Sequence, residues 1–257
     1  MPEEVPTTTN DQPFYVGYLP VPAPLRTFFK VIAPLLVAGV IAVGLVAART
    51  QRDPGPARWN DGVAQQFRGF IVRTPYPALL VQSESSGGPP SVFLLVEMGK
   101  HGAARELPPD GSAVNISGWK LDRDGRQMIE LEPGSDALKP ESATKSINLA
   151  RPTRLGTVTI TGEIVDSKCY LGAMKPGEGK THKACATLCI RGGVPPVLVT
   201  RDAQTRFEHV LLCSDTGDPL GPEFWPFVAD PVSVTGELEI LAGIKRLRVP
   251  SGGVRPL

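Results

Sequence analysis

Hydrophobic positions fall into two regimes along the chain. Between Val31 and Ala48 they are continuous: VIAPLLVAGVIAVGLVAA contains no charge and no strongly polar group. About 20 apolar residues suffice to cross a bilayer as a helix, and Phe28 and Phe29 lengthen the run past Lys30. We therefore expect one transmembrane helix over 28–48, with Pro34 in its first turn, where a missing N–H costs little. A helix apolar on every side needs lipid or a large core to cover it, and no flanking domain lies close enough in sequence to serve. A cleaved signal peptide is the rival reading, but the polar segment before the run is long for one. Residues 1–27 are Pro-rich and coreless, and read as a disordered tail.

Beyond the apolar run the period shortens to two. Val114 and Ile116, like Val158 and Ile160, alternate with polar neighbours as half-buried strands do. The strand pattern also repeats. Val114-Asn-Ile-Ser-Gly118 corresponds to Val232-Ser-Val-Thr-Gly236, and seven residues further on each copy has a second glycine, Gly125 and Gly243. Phe67-Arg-Gly69-Phe-Ile71-Val72 corresponds to Ile160-Thr-Gly162-Glu-Ile164-Val165, and Phe93–Val96 to Val210–Cys213. Each copy reads as three strands and a hairpin that turns at its second glycine, with a mid-strand glycine where a small barrel would bend. This pattern resembles the OB-fold, a five-stranded partly open barrel. The expected fold class is mainly β: a transmembrane helix, then two tandem OB-like barrels at 58–134 and 155–257, joined by a Pro-, Ser- and Lys-containing linker at 135–154. The 27 Gly and 27 Pro suit short strands and turns. A formal net charge of +1 gives no basic field for nucleic acid.

The two copies differ in one place. From Gly69 to Phe93 is 24 residues, but from Gly162 to Val210 is 48, so the second copy carries an extra helix and loop at 166–193. All four cysteines are in this copy. Thr181 is placed to cap a helix that Gly192-Gly193 would stop. On that helix His182, Cys185 and Cys189 stand at i, i+3 and i+7 and share a face. Cys169, just past the first strand of the copy, is positioned to meet them. Thiolate and imidazole donors suit zinc, copper or iron–sulfur centres. Cys213 is a fifth candidate, or a small core residue, since copy one has Val96 there. Asp166 and Tyr170 would support the ligands from behind, or Asp166 would cap a turn.

Other readings of the same residues stay open. Outside the cytoplasm four cysteines commonly form two disulfides: Cys169 with Cys185 or Cys189, and the remaining helix cysteine with Cys213. His182 beside a thiol would also suit a thiol-based redox enzyme. No G-x-S-x-G, H-E-x-x-H or P-loop motif is present, which weighs against other catalysis. Lys168, Lys175, Lys180 and Lys183 read as a basic surface, and His209 as structural. Phe224-Trp225-Pro226-Phe227 is either a core plug or a docking patch.

The stretch D-x-x-C-Y…H-x-x-C-A-x-x-x-C, from Asp166 to Cys189, runs on into Gly-Gly-Val-Pro-Pro. It is similar to a signature of bacterial membrane-anchored envelope proteins that carry a short OB-like domain. The resemblance covers residues 158–200 and assigns no ligand to any residue. It implies a bacterial inner-membrane protein. Arg26 and Lys30 on one side of the span nearly balance Arg49, Arg52 and Arg58 on the other. Long translocated domains respond weakly to such charges, so we expect the barrels to be periplasmic. The expected function is that of an accessory or assembly protein of an envelope system, respiratory or redox, that binds a metal or cofactor through its Cys/His face and has a protein partner in the envelope. A disulfide-clamped interaction module is the alternative.

Overall fold

The computed structural model describes residues 21–50, 57–83, 90–104, 106–141, 146–149, 151–200 and 209–257. The chain divides into two units, 1–53 and 54–257. In the first, helix α1 spans Ala23–Thr50. Its apolar window, mean hydropathy 2.7, is wholly unburied, and the helix is long and apolar enough to cross a membrane. It starts before the expected position 28. Pro34 therefore lies in the helix interior and not in the first turn. Most of the expected tail, residues 1–20, lies outside the described residues.

The second unit contains two closed five-stranded barrels. In the first, β2 (Gln65–Val72) pairs antiparallel with β3 (Ala78–Val81), and β3 with β4 (Ser91–Val96). Strand β4 runs parallel to β6 (Arg126–Leu131), which pairs with β5 (Ala113–Arg123), and β5 returns to β2. Two short strands, β1 (Arg58–Trp59) and β7 (Leu138–Pro140), add to β5. The second barrel repeats the circuit with β8 (Thr153–Asp166), β9 (Pro196–Val199), β10 (His209–Ser214), β12 (Ile244–Val249) and β11 (Pro231–Leu241). Again the third and fifth strands are parallel, and β13 (Val254–Pro256) adds to β11. This is the strand order of the expected OB-like fold.

The repeat holds at single-residue register. A Cβ at Gly69 or its counterpart Gly162 would lie 2.5 Å from the Leu80 carbonyl oxygen or 2.4 Å from that of Val199. At Gly118 and Gly236 it would lie 2.3 Å from the carbonyls of Glu130 and Arg248. Only glycine lets the strands cross so closely. Both hairpins turn on two residues with positive φ, Asp124-Gly125 and Ala242-Gly243, as two-residue hairpins of this hand require.

The expected linker is partly barrel. Ala137 and Leu138 are buried in the first core, and Pro140 pairs with Val114 as Pro256 pairs with Val232. Residues 138–140 are thus the first copy's equivalent of β13. The run at 222–227 is a 3-10 turn that plugs the second barrel: Phe224 is buried, and Trp225 and Phe227 pack on the same core. The core-plug reading accounts for Phe224, while Trp225 and Phe227 stay half-buried at the surface of the same core. Each barrel has its own centre, around Ile71, Leu95 and Ile129 or around Ile164, Leu212 and Leu247. Further apolar clusters join the copies, including Val96, Leu121 and Met128 with Leu171, Cys189 and Val194.

Candidate metal centre

The insertion begins where β8 ends. Asp166 is fully buried, and its Oδ1 accepts the Cys169 N–H at 2.8 Å, which turns the chain out of the barrel. A π-turn over Cys169–Ala173 follows, then a 3-10 turn Lys180–His182 and helix α2 (Lys183–Arg191). The 3-10 turn moves the helix start, so His182 and not Thr181 occupies the cap position. Gly192 and Gly193 end the helix as expected, Gly193 with φ +92.

These turns gather the sulfur atoms. The Sγ atoms of Cys169, Cys185 and Cys189 all lie within 4.8 Å of one another. A second triad, Asp166, Cys169 and His182, meets the same limit and shares Cys169. His182 Nε2 is 3.1 Å from Asp166 Oδ2. The expected set of Cys169, His182, Cys185 and Cys189 is therefore present as two overlapping triads that pivot on Cys169. Asp166 is itself one of the donors, besides capping the turn.

Three expectations are corrected. No disulfide forms, and all four cysteines are free. Cys213 stays outside the cluster: its buried thiol donates to the Leu247 carbonyl at 3.6 Å, at the register that Val96 holds in copy one. Burial pushes that thiol up to about 11, so it is a neutral core residue. Tyr170 turns away from the sulfurs. Its carbonyl accepts from Arg123 Nη1 at 3.0 Å, and the Arg123 guanidinium lies 3.8 Å over its ring.

The first barrel supplies a group that the spacing of the second copy could not announce. Lys100 Nζ, from the loop after β4, stands 2.7 Å from Cys185 Sγ and 3.8 Å from Cys189 Sγ. Two features place it. Lys168, expected on the surface, is buried; it donates to the carbonyls of Glu97 and Gly99 at 2.9 and 2.7 Å and pairs with Glu130 at 3.2 Å. The same loop packs on the helix end, where Gly102 N–H donates to Gly192 O at 2.9 Å. A Cβ on Gly192 would lie 1.9 Å from the Lys100 carbonyl oxygen. Lys183 is also tied down, to Asp230 and to the Pro226 carbonyl, which leaves Lys175 and Lys180 as the exposed members of the expected basic surface.

Charge in the cluster is unevenly shared. Cys189 is held below the usual thiol range, first because the Cys169 thiol donates to it, with Lys100 adding a positive charge. Cys169, the donor, is pushed up by that bond, by burial and by Asp166. Lys100 is pushed up chiefly by its bond to Cys185. The cluster thus favours negative charge on Cys189 over Cys169, and sets an ammonium group where a metal cation would have its charge. Closely spaced thiolates bind soft cations well, and a cation displaces both the Cys169 proton and the lysine. No protein-family model matches the chain, and neither a curated protein nor a solved structure matches it.

Proposed function

We propose that this is a membrane-anchored binding module that holds one soft metal ion, zinc or copper(I), on Cys169, Cys185 and Cys189. The observation that carries this reading is the convergence of three sulfur atoms within 4.8 Å at a site with its own positive counter-charge. Both ions favour thiolates. Cubane and rhombic iron–sulfur clusters take four cysteines, and the fourth here, Cys213, sits in a barrel core. For zinc, which prefers four ligands, His182 is the protein group nearest to completing the set, with Asp166 orienting its ring. The module serves an envelope system of a bacterial inner membrane as an accessory or assembly subunit, with its barrels on the periplasmic side.

The test is metal analysis paired with thiol counting on the full-length protein, purified without oxygen. One ion per chain is expected, with Cys185 alkylated only after chelation. Cys169→Ser and Cys185→Ser should each lose most of the metal. Wild-type metal content in the Cys169→Ser/Cys185→Ser double variant would overturn the reading.

The Cys189 thiol, lowered and beside Lys100, also suits a second reading, a thiol-based redox enzyme. Its attacking sulfur is only 1 % exposed, however, so a substrate would have to enter past Cys185. That reading requires rapid alkylation of the metal-free protein below pH 7 and turnover of a disulfide substrate.

A further inference from the structure

Behind the cysteine cluster is a cavity of about 300 Å³ between the two barrels. The segment Asp166–Leu171 separates the two sites. Asp166 and Cys169 serve the metal side, Lys168 holds the loop of the first barrel, and Ser167, Tyr170 and Leu171 line the cavity. Two of its polar groups are buried and have no hydrogen-bond partner. Ser167 is 1 % exposed and its Oγ is unpaired; His209 is 8 % exposed and neither ring nitrogen is bonded. Buried polar groups are almost always satisfied, and leaving one bare costs on the order of 1–3 kcal/mol. Two at one cavity wall therefore point to something that satisfies them.

The rest of the lining says what kind of molecule fits. Leu94, Leu171, Val197, Leu211 and Ile244 give an apolar floor. Arg126 and Lys245, on the two hairpins, supply positive charge, and no acidic residue lines the cavity among the described residues. Burial and the nearby Arg126 and Arg123 push His209 down to about 3, so its ring is neutral and offers one N–H donor. Its edge is fixed against Tyr170, with ring centroids 4.7 Å apart. A hydroxyl donor, a fixed N–H donor and two cations above an apolar floor describe a pocket for an amphipathic anion.

We propose that this cavity binds a small organic acid, with an apolar body seated on Leu94, Leu171, Val197 and Leu211 and a carboxylate that accepts from Ser167 and His209. The site is separate from the sulfur cluster and does not depend on the metal reading; binding is expected in metal-free and metal-loaded protein alike.

The test uses the full-length chain in lipid nanodiscs, with empty nanodiscs as blank and 1-naphthoate as the probe. Calorimetry should show saturable binding of one equivalent, with Kd below about 1 mM. The neutral counterpart, 1-naphthalenemethanol, should bind at least about tenfold more weakly, since a charged acceptor makes the stronger hydrogen bonds. Ser167→Ala, which changes little volume, should weaken naphthoate by about tenfold. Ile244→Trp, at a half-buried position of the floor, should block it. Naphthoate should also shift the ring ¹⁵N resonances of His209, a readout independent of the variants' folding. Absence of saturable binding, or acid and alcohol binding equally with no effect of Ser167→Ala, would overturn the proposal.

Discussion

At the scale of single residues, Lys100 adds to the chemistry of the sulfur cluster from outside the second copy. Its ammonium is exposed, yet it stands 2.7 Å from Cys185 Sγ and compensates charge on the cluster. Lys100→Met should raise the Cys189 thiol toward the ordinary range, because one of the three influences that lower it is gone. Alkylation of metal-free protein by a small, neutral haloacetamide at pH 7 should then slow several-fold, and an unchanged rate would show that Lys100 does not act on the thiolate. His209 gives a second prediction. Its folded-state value of about 3 lies below the unfolded value of about 6.5, so as pH falls the unfolded chain takes up a proton that the folded chain refuses. Stability should therefore fall with pH between those limits, by about 1.4 kcal/mol per unit from this group. The carboxylates are common to both proteins, so the difference in denaturation midpoint between His209→Gln and the parent isolates this slope. Parallel curves from pH 6 to pH 4 would refute it.

Glycine contacts govern the elements. Gly118→Ala and Gly236→Ala each force a Cβ to within 2.3 Å of a carbonyl oxygen on the neighbouring strand, so the barrel must open at that crossing. Each should lose about 3 kcal/mol, read as a fall in the thermal midpoint, and by similar amounts, since the two positions are equivalent in the repeat. Gly192→Ala is a more selective change. Its Cβ would strike the Lys100 carbonyl at the end of α2 and push the Glu97–Gly102 loop off the helix. Barrel stability should change little beside Gly118→Ala, while thiol reactivity should come to match that of Lys100→Met. Metal binding with wild-type thiol kinetics in Gly192→Ala would show that the loop position does not matter.

For the whole molecule, the insertion belongs to the contact between the copies more than to the second barrel alone. Arg123 and Arg58 of the first copy hold its π-turn, the first through the Tyr170 carbonyl and ring, the second by close approach to Gly172. Lys168 reaches back to Glu97, Gly99 and Glu130. Lys168→Met would leave Glu130 charged and buried without its partner, at a cost of about 3–5 kcal/mol. The Lys168→Met/Glu130→Gln double variant should recover much of that loss, because no unpaired charge remains, yet it should still lose the ordered Lys100 loop. Denaturant melts and thiol reactivity of the three variants separate the two effects, and additive losses would mean that the pair is not coupled.

The periodicity and the repeat carried the architecture. Alternation with period two and glycines seven residues apart mark half-buried strands and two-residue hairpins, which are local consequences of backbone sterics and burial. The apolar run likewise marks α1 by itself, because the length and hydropathy that would let a helix cross a membrane are properties of one unbroken segment. The sulfur cluster was legible in part: i, i+3, i+7 spacing put Cys185 and Cys189 on one face. Spacing could not show that His182 meets Asp166 and Cys169 and not the two helix thiols, nor exclude Cys213, whose strand register turns it into the core. Lys100, Lys168 and the cavity at Ser167 and His209 were beyond it. Those depend on where one barrel meets the other, and such contacts join residues up to 144 positions apart. Local sequence patterns fix which face a residue occupies within its element; only the packed copies decide which charge lies opposite a thiol and which polar groups line a shared cavity.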